Sequence, residues 1–200
     1  MKLVLATNNE GKVREFARIL EPLGIEVMTQ KQAGVHVSPE ENGTTFAENA
    51  RIKAMAVYEA TGLPTVADDS GLCIDAMNGE PGVYSARYYG EDTPYEEKNR
   101  RIIESLNGVA EEKRTARFVA HITCVLSKDE ILDCEGVCEG TIGHKPAGDG
   151  GFGYDPIFYL PEYGCTSAEL SMEEKNKISH RGKALRAIKD ALRGRHAETW

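Results

Sequence analysis

The sequence predicts an α/β protein, and three stretches carry that expectation. A short β-branched and leucine run, Lys2 to Ala6, gives way to a polar loop and then to Val13, Phe16, Ala17 and Leu20 at helical spacing, which reads as strand, loop, helix. Thr45 and Glu48 form a capping-box pattern that starts a helix at Phe46 and carries it to about Ala60, just ahead of a β-prone run at Thr65 to Ala67. Two long β-prone runs, Ala116 to Leu126 and Ile131 to Gly143, are joined by Ser127 to Glu130, most simply as an antiparallel hairpin.

Taken in order, the first loop, Thr7-Asn8-Asn9-Glu10-Gly11-Lys12, lies between a strand and a helix start. Unpaired amides and the helix dipole there favour an anion, so the loop suits phosphate; a capped helix start with a solvated Lys12 would look the same. It is not a Walker A loop, which needs Gly-x-x-x-x-Gly-Lys-Ser/Thr. Ile25 to Thr29 reads as a second strand and Lys31 to Glu40 as a loop. On the helix that begins at Phe46, the apolar stripe is Phe46, Ala50, Ala54 and Val57, while Asn49 and Lys53 sit one turn apart on a neighbouring face.

The centre of the chain is Thr65-Val-Ala-Asp-Asp-Ser-Gly-Leu-Cys-Ile-Asp75. Thr65 to Ala67 and Leu72 to Ala76 read as strand ends, with Ser70-Gly71 as the bend between them. Two carboxylates, Asp68 and Asp69, side by side in a buried place require a cation, and magnesium suits hard oxygen ligands; a turn-capping role is the alternative. Beyond it come an aromatic and small-residue loop, Pro81 to Tyr88, and a polar amphipathic helix, Pro94 to Leu106. Lys145 to Phe158 then carries four glycines. Glycines this dense let backbone approach a ligand, and Phe152 and Tyr154 offer ring faces to a base; a flexible hairpin tip is the alternative. Ser171 to Glu174 is a second capping box, and Ile178, Leu185, Ile188 and Leu192 mark the core stripe of a terminal helix with Ser179-His180-Arg181-Gly182 at its start.

Size and charge limit the function classes. A 200-residue chain with 40% hydrophobic and 28% charged residues buries a full core, so one compact, bilobed unit over residues 1–200 is expected. Its net charge of −8 opposes nonspecific nucleic-acid binding, although lysines and a metal can still hold a small polyanion locally. No apolar run approaches the roughly 18 residues of a membrane span, and the apolar start is interrupted at Thr7, so the protein is expected to be cytoplasmic. Five cysteines without Cys-x-x-Cys spacing read as reduced, mostly buried thiols.

Together and in this order, Thr7 to Lys12, Thr45 to Ala50, Ala67 to Leu72, Gly150 to Pro156 and Ile178 to Gly182 resemble the inosine triphosphate pyrophosphatase family, over Leu3 to about Leu192. The resemblance implies a long twisted mixed β-sheet flanked by helices, two lobes with the active site in the cleft between them, and a homodimer. It implies Mg²⁺-dependent hydrolysis of inosine, deoxyinosine and xanthosine triphosphates to monophosphate and pyrophosphate, clearing them from the nucleotide pool before they enter DNA or RNA. By the same resemblance Thr7, Asn8, Asn9, Glu10, Gly11 and Lys12 hold triphosphate oxygens, and Lys53 and Lys175 neutralise them. Asp69 takes the proton and binds the metal with Glu41, while Ser70, Phe152, Gly153, Tyr154, Asp155, His180 and Arg181 contact the nucleotide.

That inventory fits attack of water on the α-phosphorus, where charge neutralisation and positioning outweigh covalent catalysis. Two rivals stand beside it. A septum-inhibitor type pyrophosphatase would lack the Ser-His-Arg segment and the Gly-Gly-Phe-Gly-Tyr-Asp loop, and a non-hydrolysing nucleotide sensor would lack the acids that Glu41, Asp68 and Asp69 supply.

Overall fold

A computed structural model describes residues 1–197, with side chains to residue 194; the last residues of the expected 1–200 domain, 198–200, lie outside the described residues. Among those described, seven strands form one sheet in the order β2-β1-β3-β4-β5-β6-β7. They are β1 (Lys2–Leu5), β2 (Glu26–Thr29), β3 (Thr65–Ile74), β4 (Thr115–Ser127), β5 (Glu130–Ile142), β6 (Phe158–Leu160) and β7 (Cys165–Thr166). The helices are α1 (Glu10–Leu20), α2 (Phe46–Thr61), α3 (Tyr95–Ser105), α4 (Met172–Ile178) and α5 (His180–Ala197). β1 runs parallel to both β2 and β3, whereas β6 is antiparallel to β5 and β7, so the sheet is mixed as expected. β4 and β5 are neighbours joined by two residues, a connection that only an antiparallel pair permits.

The chain divides into two compact units, one of residues 1–69, 120–136 and 180–200, the other of 70–119 and 137–179. In the first unit, period-2 alternation sorts side chains to two faces. Leu3, Leu5, Val66, Ala120, Ile122 and Cys124 pack with Phe16 and Leu20 of α1 and with Leu185, Ile188 and Leu192 of α5. Val4, Ala6, Ala67 and Val125 pack with Ala54 and Val57 of α2. The second unit has its own core, in which Leu72, Ile74, Ile102, Phe118, Tyr154 and Phe158 meet.

Several local expectations are corrected. Ser70-Gly71 is no bend: β3 runs unbroken for ten residues, because its buried flanks gain more from sheet pairing than from a turn, and Gly71 has no positive φ. Ile178 is not on the terminal helix: α4 ends there, and Ile178 packs on the core of the second unit while Leu185, Ile188 and Leu192 serve the first. The box at α2 is half made. Thr45 Oγ1 accepts from Glu48 N at 3.1 Å, but Glu48 turns to Thr44 N and Oγ1 at 2.6 and 3.2 Å. The Ser171–Glu174 box forms as expected. All five cysteines are free thiols, but only Cys124 and Cys138 are buried, so most are half-exposed rather than buried. Among the described residues no helix is long and apolar enough to cross a membrane.

Candidate active site

Strand geometry decides what happens at the central acids. Successive side chains on β3 point to opposite faces, so Asp68 follows Val66 toward α1 and α5, while Asp69 follows Ala67 toward α2. The two carboxylates therefore have different nearest cations. Asp68, 1% exposed, receives Lys12 Nζ from α1 at 2.7 Å on Oδ1 and lies 3.4 Å from Arg181 Nε of α5 through Oδ2. Burial alone would raise its carboxyl, yet Arg181 and Lys12 hold it well below the usual carboxylate range. Arg181, 2% exposed, also pairs with the buried Glu15 of α1. Asp68 is thus held in its charged state by Lys12 and Arg181.

Asp69 has a different setting. Lys53 Nζ, from the third turn of α2, donates to Asp68 O at 2.7 Å and lies 3.4 Å from Asp69 Oδ1 and 3.1 Å from Glu41 Oε1. One ammonium therefore bridges the two expected metal ligands. Glu41 is held near it because Asn49 Oδ1 accepts from Gly43 N at 2.8 Å and Glu48 ties Thr44, clamping the preceding loop on the start of α2. Burial pushes the Asp69 carboxyl up, against the opposing pull of Lys53 and Lys12, and its Oδ2 has no hydrogen-bond partner among the described residues. Burial pulls the Lys53 ammonium down, but Asp69, Glu41 and Asp68 outweigh it, so the ammonium is kept charged. An unsatisfied carboxylate oxygen beside a second carboxylate fits a hard divalent cation. Among the described residues no group of three or more His, Cys, Asp or Glu is placed to hold one unaided.

The first loop is shorter than expected. α1 begins at Glu10, so Gly11 and Lys12 belong to its first turn, and Asn9 caps it by accepting from Lys12 N at 3.2 Å. Thr7 Oγ1 accepts from Asn9 N at 3.2 Å, while Asn8, Asn9 and Glu10 are exposed. At the far end of the chain α5 starts at His180, itself buried, and Gly136 makes that placement possible: a Cβ there would sit 2.1 Å from His180 O.

In the second unit the glycine-rich segment is held by Asp155. Its Oδ2 accepts from Phe152 N at 2.9 Å and from Lys175 Nζ at 2.7 Å, and its Oδ1 accepts from Ser167 Oγ at 3.0 Å. Gly151 sits at φ +64°, and a Cβ there would meet Asp155 Oδ2 at 2.1 Å, so glycine is required. Lys175 Nζ lies 4.7 Å from the centre of the half-buried Phe152 ring. Asp155 and Lys175, 2% and 4% exposed, form a buried ion pair. Tyr154 is corrected outright. It is 4% exposed, edge-on to Tyr95 at 5.1 Å, and bonded through its hydroxyl to Ser85 O, so its ring is core and presents no face to a base. Gly153 and Ser70 are half-buried. Glu15, Ser85 and Ser167 went unremarked in the sequence. Glu15 alone had a local signal, three residues after Lys12 and beside Phe16 on the inner face of α1.

The fold is a mixed α/β sheet whose strand β3 carries a buried pair of acids, each beside protein cations. The chain belongs to the Ham1 family, whose model matches residues 3–191. It is 49% identical to the dITP/XTP pyrophosphatase of Shigella flexneri over 194 residues, 96% of this chain and 98% of that one. It is 50% identical to the dITP/XTP pyrophosphatase of Desulforamulus reducens over 192 residues, 96% of each. Among solved structures, a HAM1 protein from Coxiella burnetii superposes with a TM-score of 0.87 at 42% identity, covering 97% of this chain and 99% of that one. The resemblance drawn from the motifs and the mixed sheet are both borne out.

Proposed function

We propose that this chain hydrolyses non-canonical purine nucleoside triphosphates, deoxyinosine, inosine and xanthosine triphosphates, to the monophosphate and pyrophosphate. The observation that carries this reading is the split of the acid pair: Asp68 is locked by Lys12 and Arg181, while Asp69 keeps one buried oxygen open beside Lys53 and Glu41. That leaves Asp69 to orient the attacking water and take its proton, with Lys53 balancing charge that develops on the phosphates. Glu41 and Asp69 are the residues that would hold magnesium, which when bound neutralises phosphate charge and lowers the pKa of water. Thr7 to Lys12 and the start of α5, with His180, offer amides and side chains to anionic and keto oxygens. Phe152, pinned through Asp155, offers the base a ring face. Hypoxanthine and xanthine accept at position 6 where adenine donates, and a site built on matched hydrogen bonds rejects the mismatch by about 10⁴. The enzyme acts in the cytoplasm as a homodimer of single-domain chains, each protomer carrying the full set of these residues.

The test is direct. Purified protein with Mg²⁺ is given dITP, ITP, XTP, ATP and GTP, and the products are separated. Pyrophosphate and monophosphate from the first three, with little from the last two, supports the reading; release of orthophosphate, or equal turnover of ATP, refutes it.

A further inference from the structure

The loop Pro81 to Tyr88 has no part in the chemistry above, yet its central serine is buried at a junction. β3 is paired by β1 only at Thr65 and Val66. Farther along, the same strand is paired instead by the returning chain: Ile74 N donates to Glu80 O at 3.1 Å, Cys73 bridges Pro81, and Leu72 N donates to Ser85 Oγ at 2.9 Å. A side-chain hydroxyl therefore stands where a neighbouring strand would supply a carbonyl, two residues after Ser70. The direction of its proton is fixed by its partners, since Gly82 O, at 2.6 Å, can only accept and Leu72 N can only donate. The carbonyl of the same residue accepts from Tyr154 Oη at 2.5 Å, and Tyr154 lies between Phe152 and Asp155 in sequence. Ser85 is 5% exposed, Tyr154 4% and Leu72 0%, so water does not replace these bonds freely. α3 backs the arrangement: Lys98 Nζ donates to Ala86 O at 2.6 Å and Asn99 Nδ2 to Gly153 O at 3.2 Å.

We infer that Ser85 is a positioning residue for nucleoside recognition, its hydroxyl setting the strand that carries Ser70 and its carbonyl setting, through Tyr154, the loop that carries Phe152. The inference rests on the proposed function, and it predicts a split between the two products. Ser70 and Phe152 serve the nucleoside; Lys12 and Lys53, outside this network, serve the phosphates. Loosening Ser85 weakens monophosphate binding and spares pyrophosphate.

The experiment measures dissociation constants of inosine monophosphate and of pyrophosphate, each with Mg²⁺, for the wild type, Ser85→Ala, Tyr154→Phe, the double variant and Ser85→Thr. The inosine monophosphate constant should rise about tenfold in either single variant, the size of one lost buried hydrogen bond. The pyrophosphate constant should stay within about twofold, the double variant should be no weaker than the weaker single, and Ser85→Thr, which keeps the hydroxyl, should recover most of the loss. Tyr154→Phe keeps the ring and its packing, so it carries the test if Ser85→Ala fails to fold. Unchanged binding of both products, equal weakening of both, or simple additivity in an enzyme that cleaves dITP would overturn the assignment of Ser85 alone. A wild type that neither cleaves dITP nor binds its products would overturn the proposed function, and the assignment of Ser85 with it.

Discussion

Replacing Asp69 by asparagine should abolish turnover and make the protein more stable. Two terms compete. The carboxylate keeps one buried oxygen without a hydrogen-bond partner among the described residues, a situation that costs about 1 to 3 kcal/mol and more for a charged group. Against this, Lys53 lies 3.4 Å away, a long contact for a charge-assisted bond, and retains Asp68 O at 2.7 Å and Glu41 at 3.1 Å, so losing one of three partners costs of order 1 kcal/mol. The balance favours the amide by about 1 kcal/mol at neutral pH, or roughly 2 to 4 °C in Tm for a chain of this size. The sign follows from linkage. A carboxyl raised by burial contributes stability below its unfolded pKa and loses it as pH rises through the folded value. The gain of Asp69→Asn over wild type should therefore be largest near pH 7 and vanish in acid, once Asp69 is protonated in both states. Urea denaturation of the two proteins between pH 4 and pH 8 measures it, beside a pyrophosphate-release assay. A loss of more than about 1 kcal/mol at pH 7 would show that Lys53 holds the charge after all, and near-normal turnover would remove Asp69 from the chemistry.

Three further outcomes follow from the same geometry. Lys53→Met should lower kcat/KM for dITP by roughly 5- to 150-fold, equivalent to 1 to 3 kcal/mol of lost charge-assisted contact, and unchanged kinetics would return Lys53 to a bystander's role. Arg114, 2% exposed, donates to Ile142 O at 3.0 Å, Leu106 O at 2.8 Å and Gly143 O at 2.9 Å; Arg114→Lys reaches one carbonyl at most and should cost about 2 to 4 kcal/mol in chemical denaturation. Because Glu41 and Asp69 would offer magnesium only two carboxylates, already bridged by Lys53, the ion should bind the free enzyme only in the roughly millimolar range and tighten with a non-hydrolysable triphosphate analogue; calorimetry showing micromolar binding to the free enzyme would contradict this.

Local chemistry made much of this legible in the chain. The Thr45 cap announced α2 to within a residue, and the serine-glutamate box announced α4, because each bond is made within one turn. What stayed hidden depends on partners distant in sequence. Ser70-Gly71 carries turn residues, but β3 lies in the sheet between β1 and β4 and is met at Leu72 by Ser85, partners distant in sequence. Tyr154 looks like a stacking platform until Ser85 and Tyr95 close around it. Arg181 reads as a ligand-facing cation at a helix start, and only the fold brings it to Glu15, 166 positions away. The adjacent Asp68 and Asp69 were visible, yet their separation to opposite faces, Asp68 toward Lys12 and Arg181 and Asp69 toward Lys53, needed the pleat of β3 and the helices on each side of it.

The order of segments in the first unit has a consequence for synthesis. Leu3 and Leu5 share a core with Leu185, Ile188 and Leu192, which are made long after them. At about 5 to 20 residues per second, β1 leaves the ribosome many seconds before α5 exists to cover it. Contacts of such long sequence separation slow folding, and they leave apolar strands uncovered on the nascent chain. A premature stop before α5 would take Leu185, Ile188 and Leu192 out of this core, so the first unit closes it only once α5 has been delivered.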